Sequence, residues 1–168
     1  MDRILAEMRT YFGADKKRIE HAEKVLYYAK QILKKEKADS NVVIPAAILH
    51  DIGIKECERK YASTNGQLQE KEGSPIARNI LKHLDVESDI IKEVCEIIAS
   101  HHSKGEINTI NFKVIWDADW LVNLRDEYDI TDKNKLRKII DRLFCTKEGK
   151  RIAEKVYLKR KIAKTRIN

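Results

Sequence analysis

The spacing of apolar residues constrains this chain more strongly than any other feature of its sequence. Across residues 14–37 they recur every three or four positions, which places them on one face of an amphipathic helix: Ile19, Ala22, Val25, Leu26, Ala29, Ile32 and Leu33. No segment alternates convincingly at a period of two. The short stretch 107–115, INTINFKVI, comes nearest and is interpreted as a loop entering a helix. The pattern predicts an all-α fold.

Similar stripes and start signals predict further helices. One is expected to begin near Pro45 and end at Gly53, one to begin at Pro75, and one to begin at Ser88 and end at His101–Ser103. Three more are expected to cover about 111–125, 133–145 and 147–164. The polar segment 54–72 lacks a sustained stripe and contains Asn65-Gly66. It is interpreted as a loop, or a loop with a short helix, long enough to serve as a lid.

Length and composition predict one domain over residues 1–168, with basic helices over 133–168. The sequence motifs described below fall in a core at about 18–125. Only 6 glycines and 2 prolines occur, which disfavours a turn-rich β-sandwich or propeller. No apolar run approaches the roughly 20 residues of a membrane span, and the charged start does not resemble a signal peptide. The three cysteines have no CxxC spacing. They therefore indicate neither a disulfide framework nor a thiolate zinc site, and they favour the reducing cytoplasm.

Charge is unevenly distributed along the chain. Residues 133–168 contain 14 Lys and Arg against 3 Asp and Glu, a net charge of +11, whereas the preceding 132 residues carry −4. Such a basic segment indicates either a nucleic-acid or acidic partner, or a helix face solvated by Lys and Arg. The solvated face is favoured, because aromatic residues are few there and no recognised nucleic-acid motif occurs. Nothing in the sequence indicates the oligomeric state.

Two of the five histidines stand on apolar helix faces. His21 continues the face of Val25, and His50 follows the apolar run AAIL and is followed by Asp51. A buried charged group is costly unless it is paired or binds a metal. The residues alone therefore leave two interpretations equally open: a His–Asp hydrogen bond that joins helix ends, or a divalent metal site.

Three sequence blocks carry a resemblance to a known family. They are HAEKVLYYA at 21–29, AAILHDIG at 46–53 and DADWL at 117–121. In this order they resemble the HD-domain metal-dependent phosphohydrolases. The resemblance implies an all-helical bundle whose metal ligands are His21, His50, Asp51 and Asp119. One divalent ion (Mn, Fe, Ni, Co, Zn or Mg) would activate a water molecule to attack phosphorus.

The resemblance also implies a small phosphorylated substrate, and a phosphomonoester of a nucleotide is the first expectation. Two alternatives stay open. One is a phosphodiesterase acting on cyclic or oligonucleotides. The other is a non-catalytic HD module whose basic C-terminal segment contacts nucleic acid. The presence of all four expected metal ligands disfavours the non-catalytic module. No membrane is expected among the partners.

Further site residues follow from the same resemblance. His101 and His102 resemble a histidine pair of two-metal relatives, but Glu70 or Glu72 stands where those relatives have another histidine, so we expect one ion. Asp51 and this pair are predicted to be catalytic, with His101 or His102 contacting phosphate or donating a proton to the leaving oxygen. The cations nearest in sequence are predicted to bind substrate: Arg18, Lys24 and Lys55.

Helical periodicity does not decide between Asp117 and Asp119, which stand two residues apart. The family's A-D-x-L context favours Asp119 as the ligand, and Asp117 is expected to hold a ligand imidazole by its other nitrogen. Trp116 and Trp120 are expected either to stack on a base or to pack in the core. His83 matches no motif and is expected to be an ordinary surface residue.

Overall fold

The computed structural model describes residues 1–103 and 107–159, and within these ranges all regular secondary structure is helical. The all-α prediction is confirmed. The α-helices of the described residues are α1 (Asp2–Phe12), α2 (Lys16–Leu33), α3 (Ser40–Leu49), α4 (Ile54–Tyr61), α5 (Gly66–His83), α6 (Ser88–Ile98), α7 (Ile110–Glu127), α8 (Lys133–Leu143) and α9 (Lys147–Ala153). A π-helical turn, Glu154–Leu158, follows α9 directly.

Helix α3 lies at the centre of the bundle. Its sequence SNVVIPAAIL has apolar residues on all sides, as expected of a helix buried all round, and seven of its ten residues are buried. It packs against α2, α6 and α7, while α2 and α7 also lie along each other. The end of α3 therefore opens into the space between these helices, and His50 and Asp51 follow at that point.

Both prolines lie inside helices, so the helix starts predicted at Pro45 and Pro75 were wrong. Helix α3 begins five residues before Pro45, with the Asp39 side chain accepting a hydrogen bond from the Asn41 amide, and α5 begins nine residues before Pro75. A proline removes the hydrogen bond to the carbonyl four residues earlier. Asn41 and Lys71, which carry those carbonyls, are exposed, so water can replace the missing bonds.

The polar segment 54–72 is mostly helical, whereas a loop, or a loop with one short helix, was predicted there: it contains α4 and the beginning of α5. Helix α4 occupies Ile54–Tyr61 and buries Cys57 against the bundle. The Asn65 side chain accepts hydrogen bonds from the amides of Gln67 and Leu68 and so begins α5. Asn65-Gly66 is thus a helix start and not a turn between loops. The prediction failed because α4 has few apolar residues and is held mainly by tertiary contacts.

Both ends of the described chain add packing that the sequence indicated only in part. Helix α1 was not predicted, although its buried residues Ile4, Met8 and Phe12 follow a four-residue spacing. The helix predicted for 147–164 is found as α9 and the π-helical turn, and its positions 160–164 lie outside the described residues. Within the described part of the chain, no helix is long and apolar enough to span a membrane.

Candidate metal centre

Two imidazoles and two carboxylates from α2, the end of α3 and α7 converge on one point. His21 Nε2 lies 3.1 Å from His50 Nε2, 3.1 Å from Asp119 Oδ1 and 3.3 Å from Asp51 Oδ2. His50 Nε2 lies 3.4 Å from Asp51 Oδ2 and 3.6 Å from Asp119 Oδ1. The structure therefore brings together all four residues of the predicted ligand set.

These separations match the edges of a coordination polyhedron. Ligand atoms about 2.1 Å from an ion lie about 3.0 Å apart in octahedral geometry and about 3.4 Å apart in tetrahedral geometry. The five distances between the four side chains span 3.1–3.6 Å. Nitrogen lone pairs and carboxylates this close repel one another unless protons or a cation lie between them. The donor set and its spacing fit a divalent ion.

Two neighbouring groups orient the ligands. His50 is fully buried, and its Nδ1 lies 3.0 Å from the Ala47 carbonyl oxygen, which can only accept. In the neutral ring Nδ1 therefore carries the proton and Nε2 presents its lone pair to the site. On α7, Asn123 Nδ2 donates to Asp119 Oδ1 at 2.8 Å. The sequence analysis did not identify Asn123, although its place four residues after Asp119, on the same helix face, is a usable signal.

The electrostatics of the cluster favour positive charge. Burial alone lowers the pKa of His50, but Asp51 and Asp119 outweigh it and hold that pKa well above its usual value. Burial raises the pKa of Asp51, whereas His50 and His101 lower it well below its usual range. The pKa of Asp119 is also lowered, because hydrogen bonds from His21 and His50 overcome the effect of burial. The ionised carboxylates therefore attract either protons or a metal cation.

His101 and His102 stand on the other side of Asp51. His101 is buried, its Nδ1 lies 2.7 Å from the Ile98 carbonyl oxygen, and its Nε2 lies 3.3 Å from Asp51 Oδ1. The His102 ring is exposed and packs on the His101 ring with a centroid separation of 3.9 Å. Asp51, His101 and His102 form a second group of potential ligands, which shares Asp51 with the first.

The place of Asp117 corrects one expectation. Its carboxylate is fully buried and accepts hydrogen bonds from the Cys145 amide at 2.8 Å and from the Thr146 amide and hydroxyl at 2.7 Å. It therefore fixes the chain between α8 and α9, and the nitrogen Nδ1 of His50 is held by a backbone carbonyl instead. A side chain at Gly149 would also collide with this carboxylate, at 2.3 Å from Oδ2. The opposite directions of residues 117 and 119 on α7 explain the two roles.

The three predicted substrate cations are placed differently. Lys55 Nζ donates to the Tyr11 carbonyl at the end of α1, at 2.6 Å. Arg18 pairs with Asp15, which caps the N-terminus of α2, and, at 2.6 Å, with Glu58 on α4. Lys24 is exposed, forms a loose 3.9 Å pair with Glu20, and lines a groove of about 590 Å³ between α2 and α7. All of these are contacts within the protein, so substrate binding by the three side chains stays a prediction.

The tryptophans of α7 pack against neighbouring side chains. Trp116 is buried and its Nε1 donates to the Leu143 carbonyl at 3.0 Å. Trp120 is partly buried between Trp116 and Tyr128, with ring centroids 6.1 and 5.8 Å away. Core packing therefore accounts for Trp116. His83 is exposed at the end of α5, away from the cluster.

A helical bundle that brings two imidazoles and two carboxylates to one point, next to a further imidazole pair, defines a metal-dependent hydrolase. The family model of the HD domain matches residues 18–144, and the chain belongs to the HD-domain family. It is similar to the crystal structure of a predicted HD superfamily hydrolase from an uncultured Thermotogales bacterium, with 25% sequence identity and a TM-score of 0.72. That similarity covers 94% of this chain and 85% of the other. No curated protein matches the chain.

Proposed function

We propose that the chain hydrolyses phosphomonoesters of small metabolites, nucleotides foremost, with one divalent ion. The observation that carries the proposal is the set of four ligand atoms at coordination distances beside the His101–His102 pair. His21, His50, Asp51 and Asp119 would hold the ion. When bound, a divalent ion supplies Lewis acidity toward a water molecule and a phosphoryl oxygen.

One ion suits the charge of the cluster better than two. The four residues proposed to hold the ion include two carboxylates, Asp51 and Asp119, and Asp51 is also the carboxylate of the group with His101 and His102. Two divalent ions would set four positive charges against these two negative ones, whereas one ion is neutralised. Proteins that bury charge compensate it in this way.

The chain's own residues would position the ester and move the proton. His101 would donate a proton to the leaving oxygen, and its contacts with the Ile98 carbonyl through Nδ1 and with Asp51 through Nε2 support this role. His102 is exposed beside it and would contact phosphate. Lys24, Arg18 and Lys55 remain proposed substrate contacts. Lys24 is the first to test, because its ion pair with Glu20 is loose.

The experiment combines metal analysis with a substrate panel. Wild type, His50→Ala and the surface control His83→Ala are purified, and their metal content is measured. They are then assayed with added Mn, Co, Ni or Mg on p-nitrophenyl phosphate, nucleoside 5′-monophosphates and bis(p-nitrophenyl) phosphate. We expect about one ion per chain in wild type and His83→Ala, none in His50→Ala, and activity on monoesters that a chelator abolishes. Equal metal content in all three proteins, or activity on the diester alone, would contradict the proposal.

A further inference from the structure

We infer that Glu70, through the turn that carries His101 and His102, is a positioning residue of the site; this inference rests on the proposed function. Glu70 lies on α5 and is 6% exposed. Its Oε1 accepts from the His102 amide at 2.9 Å, and its Oε2 accepts from the Ser103 hydroxyl at 3.0 Å. One buried carboxylate thus holds both the backbone and a side chain of the turn.

The turn needs an external partner because it lies beyond α6. Helix α6 ends at Ile98, and the backbone bonds that continue from it join the Ala99 amide to Cys95 and the Ser100 amide to Ile97. The next short-range bond joins Ser103 to Ser100. The His102 amide is therefore bound across the fold, to Glu70, and α5 fixes where the imidazole pair stands.

A second residue of α5 shapes the same pair. Gly66 lies one turn before Glu70, and the His102 ring packs directly on it: a Cβ at this position would lie 2.9 Å from His102 Cγ and 3.0 Å from Cδ2. On its other side the ring packs on His101. The N-terminal part of α5 therefore makes two kinds of contact with the His101–Ser103 segment. The Glu70 carboxylate binds its backbone, and the His102 ring packs on Gly66, which has no side chain. His101 Nε2 in turn lies 3.3 Å from Asp51 Oδ1, so the contacts of α5 with this segment also bear on the position of a candidate metal ligand.

The chain offers a matched control two residues away. Glu72 is 7% exposed on the same helix, but it binds Lys60 Nζ at 2.6 Å and Tyr61 Oη at 2.8 Å on α4. Glu72→Ala removes an equally buried carboxylate that faces away from the histidine pair. An effect that both Glu70→Ala and Glu72→Ala show is due to a general loss of packing. An effect of Glu70→Ala alone is due to the lost hydrogen bonds to His102 and Ser103.

The test compares Glu70→Ala, Glu70→Gln and Glu72→Ala by two measurements. The first is the imidazole and amide NMR signals of His101 and His102 in the full-length, metal-free protein. The second is kcat and KM on p-nitrophenyl phosphate with added metal.

In Glu70→Gln, the side-chain carbonyl still accepts from the His102 amide, and the Ser103 hydroxyl can rotate to accept from the side-chain NH2 group. We expect Glu70→Ala to shift these signals and to lower kcat about 10- to 100-fold, as small misplacements of reacting groups do, with KM nearly unchanged. Glu70→Gln should restore both, and Glu72→Ala should change neither.

Two further variants keep the inference open to contradiction. In the His101→Ala/His102→Ala background, Glu70→Ala should cause little further loss of residual kcat, because it acts through the removed rings. Gly66→Ala should shift the His102 signals even if Glu70→Ala fails to fold. Unchanged His101 and His102 signals in Glu70→Ala, or the same response in Glu72→Ala, would overturn the inference. If wild type hydrolyses no phosphate ester, the proposed function fails, and the NMR signals alone decide the positioning role.

Discussion

Asp117 and Asp119 show how two like residues on one helix take different tasks. Asp119 faces His21 and His50, whereas Asp117 accepts three hydrogen bonds from the chain between α8 and α9. Both carboxylates have ordered partners. Asp119 contacts imidazoles, which are metal-binding side chains, whereas the hydrogen bonds of Asp117 given above come from Cys145 and Thr146, so the two substitutions to asparagine should have different consequences.

We expect Asp119→Asn to lose the metal, and also to lose some stability in the metal-free state, because the carboxylate accepts hydrogen bonds from His21 and His50. Asp117→Asn should retain the metal and lose stability, by about 3 kcal/mol, because an amide nitrogen cannot accept from the donors of Cys145 and Thr146 and hydrogen bonds to a charged group are strong. Metal titration and thermal unfolding of both variants, with wild type as reference, check this. Metal loss in Asp117→Asn at full stability would show that the two roles are reversed.

The sequence predicted which side chains converge at the candidate site better than it predicted the groups that orient them. His21 was visible as a polar residue on an apolar face, and His50-Asp51 as a polar pair after an apolar run. Neither the Ala47 carbonyl that holds His50 nor the contact of Glu70 with the His101–His102 turn follows from side-chain type. Such contacts depend on backbone positions that only the assembled fold provides.

At the scale of elements, the C-terminal π-helical turn packs into the bundle. Tyr157 is buried, and its hydroxyl donates to the Leu121 carbonyl of α7 at 2.7 Å. Burial, with Tyr28 nearby, raises the pKa of Tyr157 to about 12. The neutral phenol is therefore the form that the folded protein requires.

A pH dependence of stability follows from that pKa. Below the unfolded value of about 10 the contribution of Tyr157 is fully present, and it is lost as pH rises toward about 12, because only the unfolded chain then ionises readily. We expect the difference in unfolding free energy between wild type and Tyr157→Phe to decline above pH 10, by at most about 1.4 kcal/mol per pH unit. Urea unfolding of both proteins at pH 8, 10 and 11 measures it. A difference that stays constant would mean that the phenol is not buried.

Helices with a strong apolar stripe were predictable, and helices held by neighbours were not. Helix α2 agrees with its stripe within a few residues, since its buried positions are those that the spacing indicated. Helix α4 buries Cys57 and is otherwise fixed by partners far away in sequence, such as Arg18 and Tyr11. Local pattern carries no information on such contacts, so the segment resembled a loop.

For the whole molecule, the basic segment raises the question of nucleic acid. Among its described residues, several cations already have partners: Lys133 donates to the Tyr157 carbonyl, Lys150 pairs with Asp141 and Arg151 with Glu148. We expect only weak binding of a DNA duplex, with a Kd of about 10⁻⁴ to 10⁻⁶ M at physiological salt, as for non-specific contact. Fluorescence anisotropy across a salt series checks this. Tight binding with a steep salt dependence that falls in Lys138→Glu/Arg142→Glu would instead support a nucleic-acid module.

Removal of the metal tests how far the fold depends on its site. The buried core takes residues from α1 to α3 and from α5 to α9. Among the candidate metal ligands only His50 is fully buried, and the described cysteines take no part in the candidate site. A chelated protein should therefore keep its helical circular dichroism, unlike a small domain that a metal folds. It should melt at a lower temperature, because a ligand at 100 times its Kd stabilises the folded state by about 2.7 kcal/mol. For a chain of this length that corresponds to a decrease in melting temperature of about 5–10 °C.

Thermal melts of chelated and metal-saturated wild type measure this effect. The His50→Ala variant is the control, and its melting temperature should not respond to either treatment. Loss of helical circular dichroism on chelation would show that the bundle needs the ion to fold. Identical melting temperatures would show that the ion adds no stability. Either result would contradict the proposal.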